Sequence, residues 1–158
     1  MRLTELFAAS DLVVGFEPSD KWDSITRLVE HLAARGRLPA EETPAILEAV
    51  QNRERSMSTG MEHGIAIPHA AVDGVETIAA CMGIVAREEG LSFDSIDGQP
   101  ARLVVLLVIP RSQKLLHIRT LADVARVLGK DTVREALCAA GTGEEAWNAL
   151  REGELEVR

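Results

Sequence analysis

Apolar residues recur along this chain with two periods, and the change from one to the other marks out its elements. Leu12-Val13-Val14-Gly15-Phe16 is a short apolar run that reads as a first strand. Pro18-Ser19-Asp20 then supplies a helix start, and Trp22, Ile25, Leu28, Val29 and Leu32 recur at helical spacing up to Gly36. A second helix is predicted from Pro39 or Glu41 to Arg55, with Ile46, Leu47 and Val50 facing inward. Ile65-Ala66-Ile67 reads as a brief buried strand. Residues 78–85 and 103–109 are nearly continuous apolar runs, as expected of strands covered on both faces. After Pro110 the helical period returns over 115–128, 132–140 and 144–151, with Gly129, Gly141 and Gly143 at the ends. Strands and helices interleave, so the expected fold is α/β: one domain over residues 1–158, with a small mixed β-sheet flanked by helices on both faces.

Composition narrows this picture without changing it. An apolar share of 46% beside 27% charged residues suits a globular protein with a real core. With no Tyr, two Trp and three Phe, that core must be aliphatic. No apolar run is long enough to span a bilayer, and the first residues carry no signal-peptide pattern, so a cytoplasmic protein without direct membrane insertion is expected. Cys81 and Cys138 are too few and too far apart for a disulfide framework, and Cys81 lies in an apolar run as a small buried hydrophobe. A formal charge of −8 excludes the basic footprint of nucleic-acid binding and is compatible with a basic protein partner.

The chemistry concentrates in residues 53–69, Arg53-Glu54-Arg55-Ser56-Met57-Ser58-Thr59-Gly60-Met61-Glu62-His63-Gly64-Ile65-Ala66-Ile67-Pro68-His69. Helix formers give way at Ser58-Thr59-Gly60, and Gly64 frees the backbone again. Pro68 withdraws an N–H and holds Ile67 extended, so the run is expected to end a buried strand abruptly and present a reachable His69 at its tip. A neutral imidazole is a competent nucleophile near neutral pH, its unperturbed pKa being about 6.5. His31 sits beside core positions of its helix with no motif around it, and reads as structural.

This run resembles the active-site signature of the enzyme IIA family of the phosphoenolpyruvate:sugar phosphotransferase system. The match is to its fructose/mannitol/nitrogen-regulatory branch: Arg-Glu, then Ser-Thr-Gly, then Gly-Ile-Ala-Ile-Pro-His. Leu91-Ser92-Phe93-Asp94 through Asp97-Gly98-Gln99-Pro100 resembles the family's turn before a central strand. His117-Ile118-Arg119-Thr120-Leu121-Ala122 resembles its second-histidine helix, with Ile118 in place of the usual Leu. The resemblance implies a phosphotransferase with a phosphohistidine intermediate. His69 falls on the phosphorylated histidine and His117 on the histidine that stabilises the phosphoryl group. Arg53 falls on the arginine near the site, where it would stabilise phosphoryl oxygens or only complement the helix dipole. Ser58, Thr59 and Gly60 are read chiefly as shaping the turn. No metal or organic cofactor is implied, because phosphoryl arrives attached to a protein. The implied partners are an HPr-type phosphocarrier and then either a IIB component or regulated target proteins. Length without a fused module favours the nitrogen-regulatory role; the alternative is a sugar-specific component donating to the IIB of a separate fructose- or mannitol-type permease. A binding protein whose histidine is no longer used is a further possibility, against which the presence of both His69 and His117 argues.

Two positions depart from the pattern: Glu62 stands where relatives commonly have Gly, and His63 where they often have Asn. Glu62 requires a loop that tolerates a side chain and would oppose incoming negative charge unless it points away. Two other chemistries are weaker. A metal site of Glu62, His63, His69 and His117 needs His63 and His69 together, whereas an extended segment separates them by roughly 20 Å. A serine hydrolase using Ser58 lacks the Gly-x-Ser-x-Gly elbow.

Overall fold

A computed structural model describes residues 2–156. The strands are β1 (Leu12–Phe16), β2 (Ile65–Ala66), β3 (His69–Val72), β4 (Ala79–Val85) and β5 (Leu103–Pro110). The helices are α1 (Leu3–Leu6), α2 (Lys21–Ala34), α3 (Thr43–Ser56), α4 (Lys114–Leu128), α5 (Asp131–Ala139) and α6 (Gly143–Glu156). They build one five-stranded mixed sheet in the order β1-β4-β5-β2, with β3 also on β5. β4 runs antiparallel to β5, while β1 is parallel to β4 and both β2 and β3 are parallel to β5.

The two-period pattern of β5 explains the layers. Leu103, Val105, Leu107 and Ile109 enter a cluster with α1, α4, α5 and α6, whereas Val104, Leu106 and Val108 pack among residues of α2 and α3. Both faces are covered, which is why β4 and β5 read as unbroken apolar runs. The predicted α/β architecture holds. Three elements differ from expectation. α1 is too short to leave a periodic signal. α3 begins at Thr43 because residues 40–42 form a tighter 3-10 turn first. α6 continues beyond Arg151 through Gly153, where a Cβ would stand 2.4 Å from Val133 Cγ2 and only glycine lets α5 approach.

The largest correction concerns the strand leading to His69. It does not stop at His69; it pauses at Ile67-Pro68 and resumes, so His69 opens β3. Proline breaks the ladder by lacking an N–H, yet its carbonyl accepts from Leu107 N–H at 3.1 Å and re-establishes the same register. His69 is therefore not at a strand tip; it is 9% exposed, and its ring is reached through a pocket.

Candidate functional site

The site lies at the β2/β3 edge of the sheet, where the end of α3 from one face meets the start of α4 from the other. Arg53, in the last turn of α3, donates from Nη1 to the Met57 carbonyl at 2.8 Å and so closes the helix end. The chain then turns on Ser58, whose hydroxyl donates to the Phe93 carbonyl and accepts the Gly60 N–H at 3.0 Å. Gly60 has no room for a side chain: a Cβ would lie 2.7 Å from the Phe93 carbonyl oxygen and 2.8 Å from Ser95 Cα. Thr59 gives its N–H to Glu54 Oε2 at 2.9 Å and its hydroxyl to Glu54 Oε1 at 2.5 Å. From there the chain doubles back. Gly60 bridges Ala66 in antiparallel fashion, and the Thr59 carbonyl accepts the Ile67 N–H at 3.1 Å.

His69 points to the α4 face because it continues the alternation of Ile65 and Ile67, while Ala66 and Ala70 pack toward α2 and α3. Its Nδ1 lies 2.7 Å from the Ile67 carbonyl oxygen. A carbonyl can only accept, so Nδ1 carries the proton and Nε2 keeps the free lone pair. The His117 ring, from the first turn of α4, stands edge-on to His69 with centroids 5.2 Å apart. Beside them is a pocket of about 210 Å³ lined by His69, Arg53, Ser58, Thr59, Gly60, Met61, Ile67, Ile96 and Leu121. The arrangement offers a buried neutral nucleophile and a guanidinium lining one small cavity, with a second imidazole beside the nucleophile. That suits a compact, highly charged electrophile.

Burial holds His69 below the 6.5 of a free imidazole; the Ile67 carbonyl opposes this, Arg53 and His117 add to it, and Glu54 opposes it weakly. The unfolded chain therefore takes up a proton at this position before the folded one does. Stability present above pH 6.5 should decline as pH falls toward the lower folded value. We expect an NMR titration of the His69 ring to give a midpoint under 6.5, moving up in Arg53→Gln. A midpoint at or above 6.5 would contradict the burial seen here.

The structure brings His69, His117 and Arg53 together. His31 lies elsewhere, with Nε2 3.3 Å from Oδ1 of the buried Asp11, in a structural cluster with Arg35 and Arg37. Glu62 does not line the pocket; its carboxylate is mostly exposed and 3.7 Å from His63 Nε2. His63 has φ +65°, before Gly64 at +75°, and its N–H donates to Asp97 Oδ2 at 3.1 Å. Among the described residues no group of three or more His, Cys, Asp or Glu is placed to hold a metal ion. Sequence reasoning missed Glu54 and Lys21 as parts of the site's support; the only available signal was the glutamate of the Arg-Glu pair.

Residues 5–153 match the family described as "Phosphoenolpyruvate-dependent sugar phosphotransferase system, EIIA 2". The chain belongs to this EIIA family. EIIA domains are phosphotransferase components that carry phosphoryl on a histidine. Two EIIA relatives illustrate its branches. The nitrogen regulatory protein of Escherichia coli (strain K12) is 35% identical over 128 residues, covering 80% of this chain and 76% of that protein. The fructose-specific EIIABC component of Bacillus subtilis (strain 168) is 32% identical over 140 residues, covering 89% of this chain. The match spans only 21% of that longer protein. Among solved structures, the nitrogen regulatory protein IIA-Ntr from Neisseria meningitidis superposes with a TM-score of 0.80 at 25% identity, covering 94% of this chain and 98% of that one. No helix among the described residues is long and apolar enough to cross a membrane.

Proposed function

We propose that His69 of this EIIA unit accepts a phosphoryl group on Nε2 from an HPr-type phosphocarrier, with His117 stabilising the transferred group and Arg53 assisting. The observation that carries the reading is the Nδ1···Ile67 carbonyl contact at 2.7 Å, which leaves Nε2 unprotonated beside His117. The step balances without moving a proton. The donor's N–P bond breaks with the electron pair returning to the donor imidazole, and the Nε2 lone pair forms the new N–P bond. The Nδ1–H stays on the Ile67 carbonyl, which stabilises the positive charge that the ring acquires. Onward transfer reverses these events, and the ring leaves as the same neutral tautomer. His117 and Arg53 act on the charge of the phosphoryl oxygens as it passes through a loose, in-line transition state.

Docking of a donor is supported by apolar side chains left in solvent around the pocket. Met57 follows Arg53, Ile96 lines the cavity, and Leu115 and Ile118 flank His117; each is more than half exposed. Exposed Glu62, Asp94 and Asp97 lie on the adjoining loops, which would favour a basic carrier face. Such a partner would place the protein in the cytoplasm.

The resemblance to nitrogen regulatory proteins favours a regulatory role, in which the doubly negative group at His69 changes binding to target proteins. The second reading rests on the EIIABC relative: donation to a IIB component of a separate sugar permease. Incubation with phosphoenolpyruvate, enzyme I and an HPr-type carrier should add one acid-labile phosphoryl group, read by intact mass. Chase with a IIB component or with candidate targets then separates the two roles. His117→Ala should still be phosphorylated, but about 10- to 100-fold more slowly, because a stabiliser lowers the barrier without making the bond. An unchanged rate would remove His117 from the mechanism.

A further inference from the structure

An unbroken series of contacts runs from the buried interior to the His69 ring. Lys21, at the start of α2, is 8% exposed; its Nζ lies 3.1 Å from Glu54 Oε2 and 3.1 Å from Asp94 Oδ2, over the rings of Trp22 and Phe93. Glu54, 3% exposed, takes both the N–H and the hydroxyl of Thr59. The Thr59 carbonyl takes the Ile67 N–H, and the Ile67 carbonyl takes the His69 Nδ1–H. Ile67 sits at the pause between β2 and β3, outside the paired residues; the Thr59 carbonyl holds its N–H, and Pro68 restrains the dihedral between that N–H and the carbonyl that His69 uses.

We propose that Glu54 is a positioning residue for phosphoryl transfer: through Thr59 it fixes the Ile67 carbonyl, and so the tautomer that leaves Nε2 of His69 as nucleophile. This rests on His69 being the phosphoryl acceptor. The end of α3 does not need Glu54, since Arg53 and Met57 close it, and a carboxylate in a last helical turn opposes the helix dipole. A buried carboxylate in that place is explained by the donors it gathers: Lys21 Nζ, Thr59 N–H and Thr59 Oγ1–H. The isosteric amide can keep one oxygen for Lys21 Nζ and Thr59 N–H, but it loses the charge opposite Lys21 and must turn its NH₂ on Thr59 Oγ1, reversing that bond.

The test is E54Q, with the His69 ring nitrogens read by ¹⁵N NMR in the unphosphorylated protein above pH 6.5, beside the rate of phosphoryl acceptance from HPr. Folding is checked by the amide spectrum. We expect a folded protein in which the Nδ1–H tautomer is no longer dominant. Acceptance should slow about 10- to 100-fold with little change in KM for the carrier, and part of the phosphoryl should appear on Nδ1 by ³¹P shift. A lost structural contact would lower the folded fraction without moving the tautomer. If E54Q does not fold, Thr59→Val removes only the hydroxyl bond and should shift the tautomer in the same direction. An unchanged tautomer and rate in whichever of these variants folds would overturn the proposal. Should wild type accept no phosphoryl at all, the functional reading fails, while the tautomer measurement still decides what Glu54 does.

Discussion

His69→Ala should accept no phosphoryl group from any carrier, while folding as the wild type does. The bond to phosphorus is made by one lone pair, and the structure leaves that pair on Nε2 of His69 by committing Nδ1 to the Ile67 carbonyl. No neighbouring group replaces it: Thr59 Oγ1 is committed to Glu54, and Ser58 Oγ donates to the Phe93 carbonyl. His117 is the one competitor with the right chemistry, its ring centroid 5.2 Å away. Intact mass after incubation with phosphoenolpyruvate, enzyme I and carrier should show the added group in wild type and only background in the variant. A phosphorylated His69→Ala protein would hand the nucleophile's role to His117 and overturn the assignment.

Glu54→Ala should be the most damaging single change at the site for stability, lowering it by about 3–5 kcal/mol, because it leaves a buried ammonium without its buried partner and two Thr59 donors unsatisfied. Asp94 still faces Lys21, but its carboxylate is 78% exposed and solvent-screened, so it compensates little. The pairing makes a second outcome specific. Lys21→Met in the Glu54→Ala background should recover part of the loss, since it removes the uncompensated charge and keeps an apolar stem over Trp22 and Phe93. Urea unfolding of the two single variants and the double variant measures this coupling. Simple additivity would mean that Lys21 and Glu54 do not act as a pair.

Much of the site was legible because local sequence dictates it. The apolar runs of β4 and β5, the helical stripe of α2 and the Gly-Ile-Ala-Ile-Pro-His segment each act over a few residues, through periodicity or through the backbone limits of Gly and Pro. The behaviour of Pro68 was half legible. A missing N–H predicts a broken strand, but whether the strand resumes depends on Leu107, which donates to the Pro68 carbonyl from the neighbouring strand. The positive φ of His63 left no local signal, and the Asp97 carboxylate that accepts its N–H comes from a distant loop.

Local patterns supply the inventory: an α/β sandwich, a nucleophile type, a second imidazole and an arginine, set in elements whose periodicity is strong. Tertiary structure decided how those groups are used. His69 is buried and lowered in pKa because a resumed strand and α4 close over it, and its tautomer is set by a carbonyl at a break in the ladder. In sequence Glu54 is only the glutamate of the Arg-Glu pair near a helix end. It becomes a buried anchor only because Lys21 and Thr59 converge on it, from 33 residues before and 5 residues after. Periodicity and local backbone preference are short-range properties of the chain, whereas burial, charge pairing and tautomer depend on which distant groups the fold brings within a few ångströms.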